Sequence, residues 1–151
     1  MRRRGFAVPC RSASRQDTSE KGDDIMLPRG FKQMLAEANA VIETMAVQDA
    51  VALVNDASVV LVDLREAAER QQSGQVPGAV HIPRGFLEFQ VDPDSPMHNP
   101  AVTPDRRVLL FCASGGRSAL AAKTLKDMGY PNVAHIAGGF AAWKEAGGPV
   151  E

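Results

Sequence analysis

Apolar positions along this chain switch between two periods. From Phe31 the residues Phe31, Met34, Leu35, Ala38, Val41, Ile42 and Met45 recur at intervals of three and four, which predicts an amphipathic helix beginning after Gly30. A second short helix is expected over Gln48 to Asn55, closed by the polar pair Asn55-Asp56. The run Val59-Val60-Leu61-Val62-Asp63 is then β-branched and apolar without alternation. That is how a parallel strand covered on both faces reads, and it is expected to lie centrally in its sheet. A charged helix over Leu64 to Gln72, a turn over Ser73 to Gly78 and a short strand from Ala79 to Ile82 follow. Between Arg84 and Arg107 the prolines Pro93, Pro96, Pro100 and Pro104 leave room for one helical turn around Gly85 to Phe89, in an otherwise irregular loop. Phe86, Phe89 and Met97 of this segment are candidates for a pocket wall or for ordinary surface packing.

Beyond that loop the alternation is regular: a core strand Val108 to Phe111, a helix Ser118 to Met128, a strand Val133 to Ile136 and a last helix Phe140 to Glu145. Alternating strands and helices predict an α/β fold, with a mostly parallel central sheet and helices on both faces. In such sheets the ligand crevice lies beyond the carboxyl ends of the strands. Cys112 stands at one of those ends.

Length and charge narrow the picture. A chain of 151 residues suits one domain, expected over residues 29–151, with residues 1–28 read as a disordered tail too poor in apolar side chains to offset its ordering entropy. The basic front of that tail is followed by an apolar run that stops at Pro9, too short for a secretory signal, and Asp17, Glu20, Asp23 and Asp24 spoil a transit-peptide pattern. A formal net charge of -1 argues against a nucleic-acid partner, and no apolar run approaches the roughly 18 residues of a membrane span. The two cysteines, Cys10 and Cys112, form neither a disulfide framework nor a zinc cluster, so no metal is expected and the chain reads as cytoplasmic.

The chemistry concentrates in Leu109 to Ala122, LLFCASGGRSALAA. A strand, a turn of small residues and a helix make an anion site, because the unpaired amides of the turn and helix start converge and the helix dipole adds about half a positive charge. Gly115 and Gly116 can adopt positive φ and leave those amides unobstructed. A thiol at the focus is favoured as thiolate, its pKa falling from about 8.5 into the range of roughly 3.5–7.5. Arg117 adds a permanent charge and a planar fork suited to a sulfonate, sulfite or phosphate. The bland alternative makes Cys112 a small core residue and Arg117 a surface ion-pair partner. No lysine completes a nucleotide-binding G-x-x-x-x-G-K-[ST] loop, and His81, His98 and His135 carry no local signature, so no catalytic role is assigned to them.

Cys112-Ala113-Ser114-Gly115-Gly116-Arg117-Ser118 resembles the C-x-x-G-x-R-[ST] active-site loop of the rhodanese family of sulfurtransferases. Asp63-Leu64-Arg65-Glu66 resembles the family's D-x-R-E element. Gly74 to Ala79 with Ile82-Pro83 resembles its G-H-I-P-G-A…I-P segment, with Gln75 in place of the usual histidine, and Gly138-Gly139-Phe140 through Trp143 resembles its closing G-G…W. Together these cover about residues 44–147.

The resemblance implies a single rhodanese-like domain in which Cys112 attacks the outer sulfur of thiosulfate or another donor, forms a persulfide and passes its sulfur to cyanide, a thiol or a protein. It implies that Ala113, Ser114, Gly115, Gly116, Arg117 and Ser118 bind substrate, with Arg117 holding a sulfonate or stiffening the loop. Asp63 and Arg65 are structural residues near the site, with Gly138, Gly139 and Trp143 serving as a turn and core packing. Expected partners are a small-molecule sulfur donor and acceptor, or a protein in either role, with no organic cofactor. Alternatives are a persulfide carrier or regulatory binding module without turnover, and a phosphatase or arsenate reductase. Phosphatase-like relatives have a C-x5-R loop, whereas four residues separate Cys112 from Arg117 here.

Overall fold

The computed structural model describes residues 25–151. Residues 1–24 of the predicted tail, Cys10 among them, lie outside the described residues. The chain divides into an N-terminal unit, Met1–Gly30, and the unit Phe31–Glu151 that carries all the elements below.

Five strands form one sheet: β1 (Glu43–Met45), β2 (Val59–Asp63), β3 (Val80–His81), β4 (Arg107–Phe111) and β5 (Val133–Ile136). Their order is β1-β5-β4-β2-β3 and every pairing is parallel. The helices are α1 (Phe31–Val41), α2 (Val47–Ala52), α3 (Ala67–Ser73), α4 (Leu87–Val91) after a 3-10 turn at Arg84–Phe86, α5 (Gly116–Met128) and α6 (Gly139–Glu145). The expected α/β architecture is present.

Side-chain alternation along the strands sorts the core into two layers. Val60, Val62, Val108, Leu110 and Val133 pack with Leu87 and Val91 of α4 and Ala121, Ala122 and Leu125 of α5. Val59, Leu61, Leu109, Phe111, Ala134 and Ile136 pack on the opposite face with Ala50 of α2 and Phe140 and Trp143 of α6. Each fully buried Leu, Ile or Phe contributes about 1.5–3 kcal/mol of transfer free energy. A sheet covered on both faces explains the unbroken apolar runs of β2 and β4.

Several boundaries depart from expectation, each for a local reason. Helix α1 stops at Val41, and Met45 belongs instead to edge strand β1, where it pairs with Ile136 and joins the α6 layer. Ile42 and Met45 fit the helical spacing, yet the backbone of Glu43-Thr44-Met45 is satisfied by β5. Leu64 and Arg65 lie outside α3, which starts at Ala67, because Glu66 forms a reciprocal capping box with Glu69. Helix α4 runs on to Val91, whose side chain is fully buried. The middle strand is β4, with β2 beside it.

The chain leaves β2 toward β3 on one side of the sheet and leaves β4 toward β5 on the other. The order therefore reverses between β2 and β4, and a crevice opens at the carboxyl ends of that pair. Asp63 ends β2, and Cys112 follows β4.

Candidate active site

Strand β4 delivers Cys112 to this crevice, where the residue is 1% exposed. Helix α5 begins at Gly116, two residues earlier than expected, so Gly116 and Arg117 are its first residues and the true loop is Ala113-Ser114-Gly115. Gly115 caps the helix at φ +108°, a left-handed conformation that a side chain would strain. Its amide donates to Cys112 Sγ at 3.2 Å. Burial pushes the thiol up, but hydrogen bonds from the Ser118 amide and hydroxyl and from the Ser114 and Gly115 amides outweigh it, leaving Cys112 below its ordinary value. The amides of Ser114, Gly115 and Ser118 thus converge on the sulfur.

The loop is also gripped from the opposite face of the sheet. Phe140 N donates to Cys112 O at 2.8 Å and Ala141 N to Ala113 O at 3.1 Å, so the first turn of α6 holds both carbonyls. Gly139, at φ +61°, sits so close that a Cβ there would lie 2.4 Å from Cys112 O. The G-G…W motif therefore does more than turn the chain and fill the core: its second glycine lets α6 clamp the loop.

Arg117 reaches α3. Its Nη1 and Nη2 each donate to a Glu69 carboxylate oxygen at 2.8 Å. The bond from Arg117 pulls the Glu69 carboxyl down to about 2 against the opposing effect of burial, with the Glu66 amide helping, and Glu69 in turn raises Arg117. The pair is roughly a third exposed on both sides, so it stiffens the loop more than it stabilises the domain. A carboxylate with a lowered folded-state pKa contributes stability above its unfolded value of about 4.3, and that contribution fades as pH falls toward 2. Thermal unfolding of Glu69→Gln is thus expected to show a small deficit against wild type at pH 7 that shrinks between about pH 5 and pH 2. A constant deficit across that range would mean that the Glu69 charge contributes nothing.

Ser118, fully buried on the first turn of α5, lies at the end of a polar chain that sequence reasoning did not find. Its Oγ is 3.6 Å from Cys112 Sγ and 2.9 Å from His135 Nδ1, and His135 Nε2 is 3.1 Å from Thr44 Oγ1 on β1. His135 is 4% exposed, and burial lowers its pKa, which keeps the ring neutral at pH 7. The detectable signal was a lone polar residue in the buried strand Val133-Ala134-His135-Ile136. His81 and His98 instead place Nε2 against the carbonyls of Arg65 and Val102, at 2.7 and 3.1 Å.

Asp63 and Arg65 fix the frame of the crevice. Asp63 Oδ1 accepts from the Arg65 amide and Nε, and Oδ2 from Arg65 Nη2 at 2.8 Å and Arg70 Nε at 3.2 Å. Arg65, 1% exposed, also donates to Gly74 O and lies 4.0 Å from the centre of the Phe140 ring. Gln75 exchanges backbone hydrogen bonds with Glu151 and accepts from Arg70. Beside the loop opens a cleft of about 280 Å³, whose walls include Glu69, Ala113, Phe140, Ala141 and Lys144. Phe86, Phe89 and Met97 are about half exposed and do not line it.

The profile of the Rhodanese-like domain family matches residues 46–146. The chain belongs to that family. A sulfurtransferase of Allochromatium vinosum is 34% identical over 98 residues, covering 65% of this chain and 83% of the relative. A thiosulfate sulfurtransferase of Actinobacillus succinogenes is 33% identical over 100 residues, covering 66% of this chain and 81% of that protein. Among solved structures, a Rhodopseudomonas palustris protein of unknown function, described as a possible tyrosine phosphatase, is 49% identical with a TM-score of 0.79, covering 83% of this chain and 97% of that one. The rhodanese-like match spans all four motifs read from the sequence. It supports sulfur transfer as the general activity. No helix among the described residues is long and apolar enough to cross a membrane.

Proposed function

We propose that this rhodanese-like domain moves sulfane sulfur through a persulfide on Cys112. The observation that carries the reading is the placement of Cys112 Sγ within a closed turn of backbone amides, 3.2 Å from Gly115 N, at the carboxyl edge of the sheet. The Cys112 thiolate attacks the outer sulfur of thiosulfate, the sulfur–sulfur bond breaks, and sulfite leaves with the electron pair. The Cys112 persulfide then gives up its outer sulfur to a thiophilic acceptor, such as cyanide, a small thiol or a protein thiolate, and the Cys112 thiolate returns. The amides of Ala113 to Ser118 stabilise the anionic sulfur in each step, as preorganised donors do for developing charge. Arg117, held by Glu69, keeps the loop closed around it. The cleft between Ala113 and Lys144 is where an acceptor can approach. The chain is placed in the cytoplasm on this reading, where thiols stay reduced.

Thiosulfate is the favoured donor. The near-complete burial of Cys112 suits a small compound, and the Actinobacillus relative is named for thiosulfate. Phosphate-ester chemistry is disfavoured, because the loop closes after four residues. Intact-mass measurement after incubation with thiosulfate is expected to show one added sulfur atom, discharged by cyanide as thiocyanate. No adduct and no thiocyanate would remove thiosulfate as donor. Slow loading from thiosulfate with rapid loading from a protein persulfide would instead mark a carrier. Hydrolysis of an aryl phosphate, if observed, would count against sulfur as the substrate.

A further inference from the structure

We propose that His135 acts through Ser118 as the base that accepts the proton of Cys112, so that Cys112, Ser118, His135 and Thr44 form one proton relay. The inference rests on Cys112 being the nucleophile of the proposed function, and it adds where the thiol proton goes.

The geometry supports one continuous polarity. In the relay Cys112 Sγ–H points to Ser118 Oγ at 3.6 Å, the Ser118 hydroxyl, which also lies 3.2 Å from Gly115 O, turns its proton to His135 Nδ1 at 2.9 Å, and Nε2–H of the matching His135 tautomer donates to Thr44 Oγ1 at 3.1 Å. The Thr44 hydroxyl accepts from Nε2–H in this tautomer, which leaves Nδ1 bare to receive. When Cys112 reacts, its S–H bond breaks as an O–H bond forms on Ser118, while the original Ser118 O–H bond breaks as an N–H bond forms on Nδ1. The products are a thiolate and an imidazolium, with no net change in charge and no electron transferred. Every heavy atom keeps its partner, since Nδ1–H now donates to Ser118 Oγ and the hydroxyl donates to the thiolate. Burial opposes an isolated imidazolium at His135, and the thiolate formed with it offsets that cost.

Four elements, β1, β4, β5 and α5, bring the relay together. Register pairs His135 with Thr44 of β1 on one side and Leu110 of β4 on the other, two residues before Cys112. Ser118 on α5 closes the gap from above. The charged group facing Cys112 is Arg117 of α5, itself paired with Glu69 of α3, and among the described residues burial alone shifts His135.

The test is the rate of Cys112 alkylation by iodoacetamide against pH, read by peptide mapping so that Cys10 does not contribute. It does not depend on sulfur transfer, so failure of thiosulfate to load Cys112 leaves it intact. Wild type is expected to gain reactivity in a first step below about pH 6.5, as His135 becomes free to accept, and in a second as the thiolate forms alone. His135→Asn, which can accept a hydrogen bond but not a proton, is expected to lose the first step. Its rate would fall about tenfold at pH 7 and converge with wild type at high pH. Ser118→Ala should behave alike, and the double variant should be no slower than either single one. Superimposable profiles for wild type and His135→Asn would overturn the proposal, as would a loss that is equal at every pH. Should the variants not fold, ¹⁵N-histidine NMR of the wild-type protein decides. A His135 titration that moves when Cys112 is alkylated supports the relay, and one indifferent to alkylation refutes it.

Discussion

Cys112→Ser is expected to abolish sulfur loading outright, with no adduct detectable by mass after exposure to thiosulfate and no thiocyanate formed from cyanide. The substitution exchanges sulfur for oxygen and leaves the strand, the turn and the helix start as they are. The Gly115 amide keeps an acceptor and Ser118 keeps a polar neighbour, so the fold is expected to lose only about 1 kcal/mol. A hydroxyl in the same cradle stays protonated at neutral pH and cannot carry sulfane sulfur, whatever the amides do for an anion. The measurement therefore separates the nucleophile from its surroundings. An adduct that survives in Cys112→Ser would place the sulfur elsewhere, with Cys10 as the other thiol in the sequence, and would end the assignment of Cys112.

The sequence revealed the residues that approach the sulfur through the backbone and missed those that approach it through space. Cys112, Gly115 and the start of α5 are contiguous, and their small side chains announce a turn whose only useful chemistry is its amides. Likewise β2 and β4 were legible because burial on both faces leaves uninterrupted apolar runs. Strand β1 was not, because three residues carry too little pattern to compete with the helical spacing that precedes them. The role of His135 is illegible for a related reason: its partners Thr44 and Ser118 lie 91 and 17 residues away and meet it only once β1, β5 and α5 are assembled. Arg117 is legible as a cation at the loop, but its commitment to Glu69 depends on where α3 begins, which the Glu66 capping box decides.

Gly139→Ala is expected to damage both stability and chemistry, and the second effect through the first. The backbone at Gly139 is left-handed, which costs a non-glycine residue about 1–2 kcal/mol. The added Cβ would also stand 2.4 Å from Cys112 O and 2.7 Å from Ala113 C, backbone atoms that cannot swing aside. Relieving that overlap means moving α6 off the loop, which breaks the bonds from Phe140 N and Ala141 N to the two carbonyls. Overpacking of this kind costs a further 1–3 kcal/mol, for a total of about 2–5 kcal/mol in urea unfolding. Gly147→Ala provides the comparison, because Gly147 has φ +75° with open space around its Cβ position and so isolates the conformational part. If the clamp holds the amides on Cys112, Gly139→Ala should load sulfur at least tenfold more slowly under conditions where it is still folded, whereas Gly147→Ala should load at the wild-type rate. Equal loading by the two variants would reduce Gly139 to a turn residue. A selective loss would show that the closing glycine pair sets the position of a nucleophile 27 residues earlier in the chain.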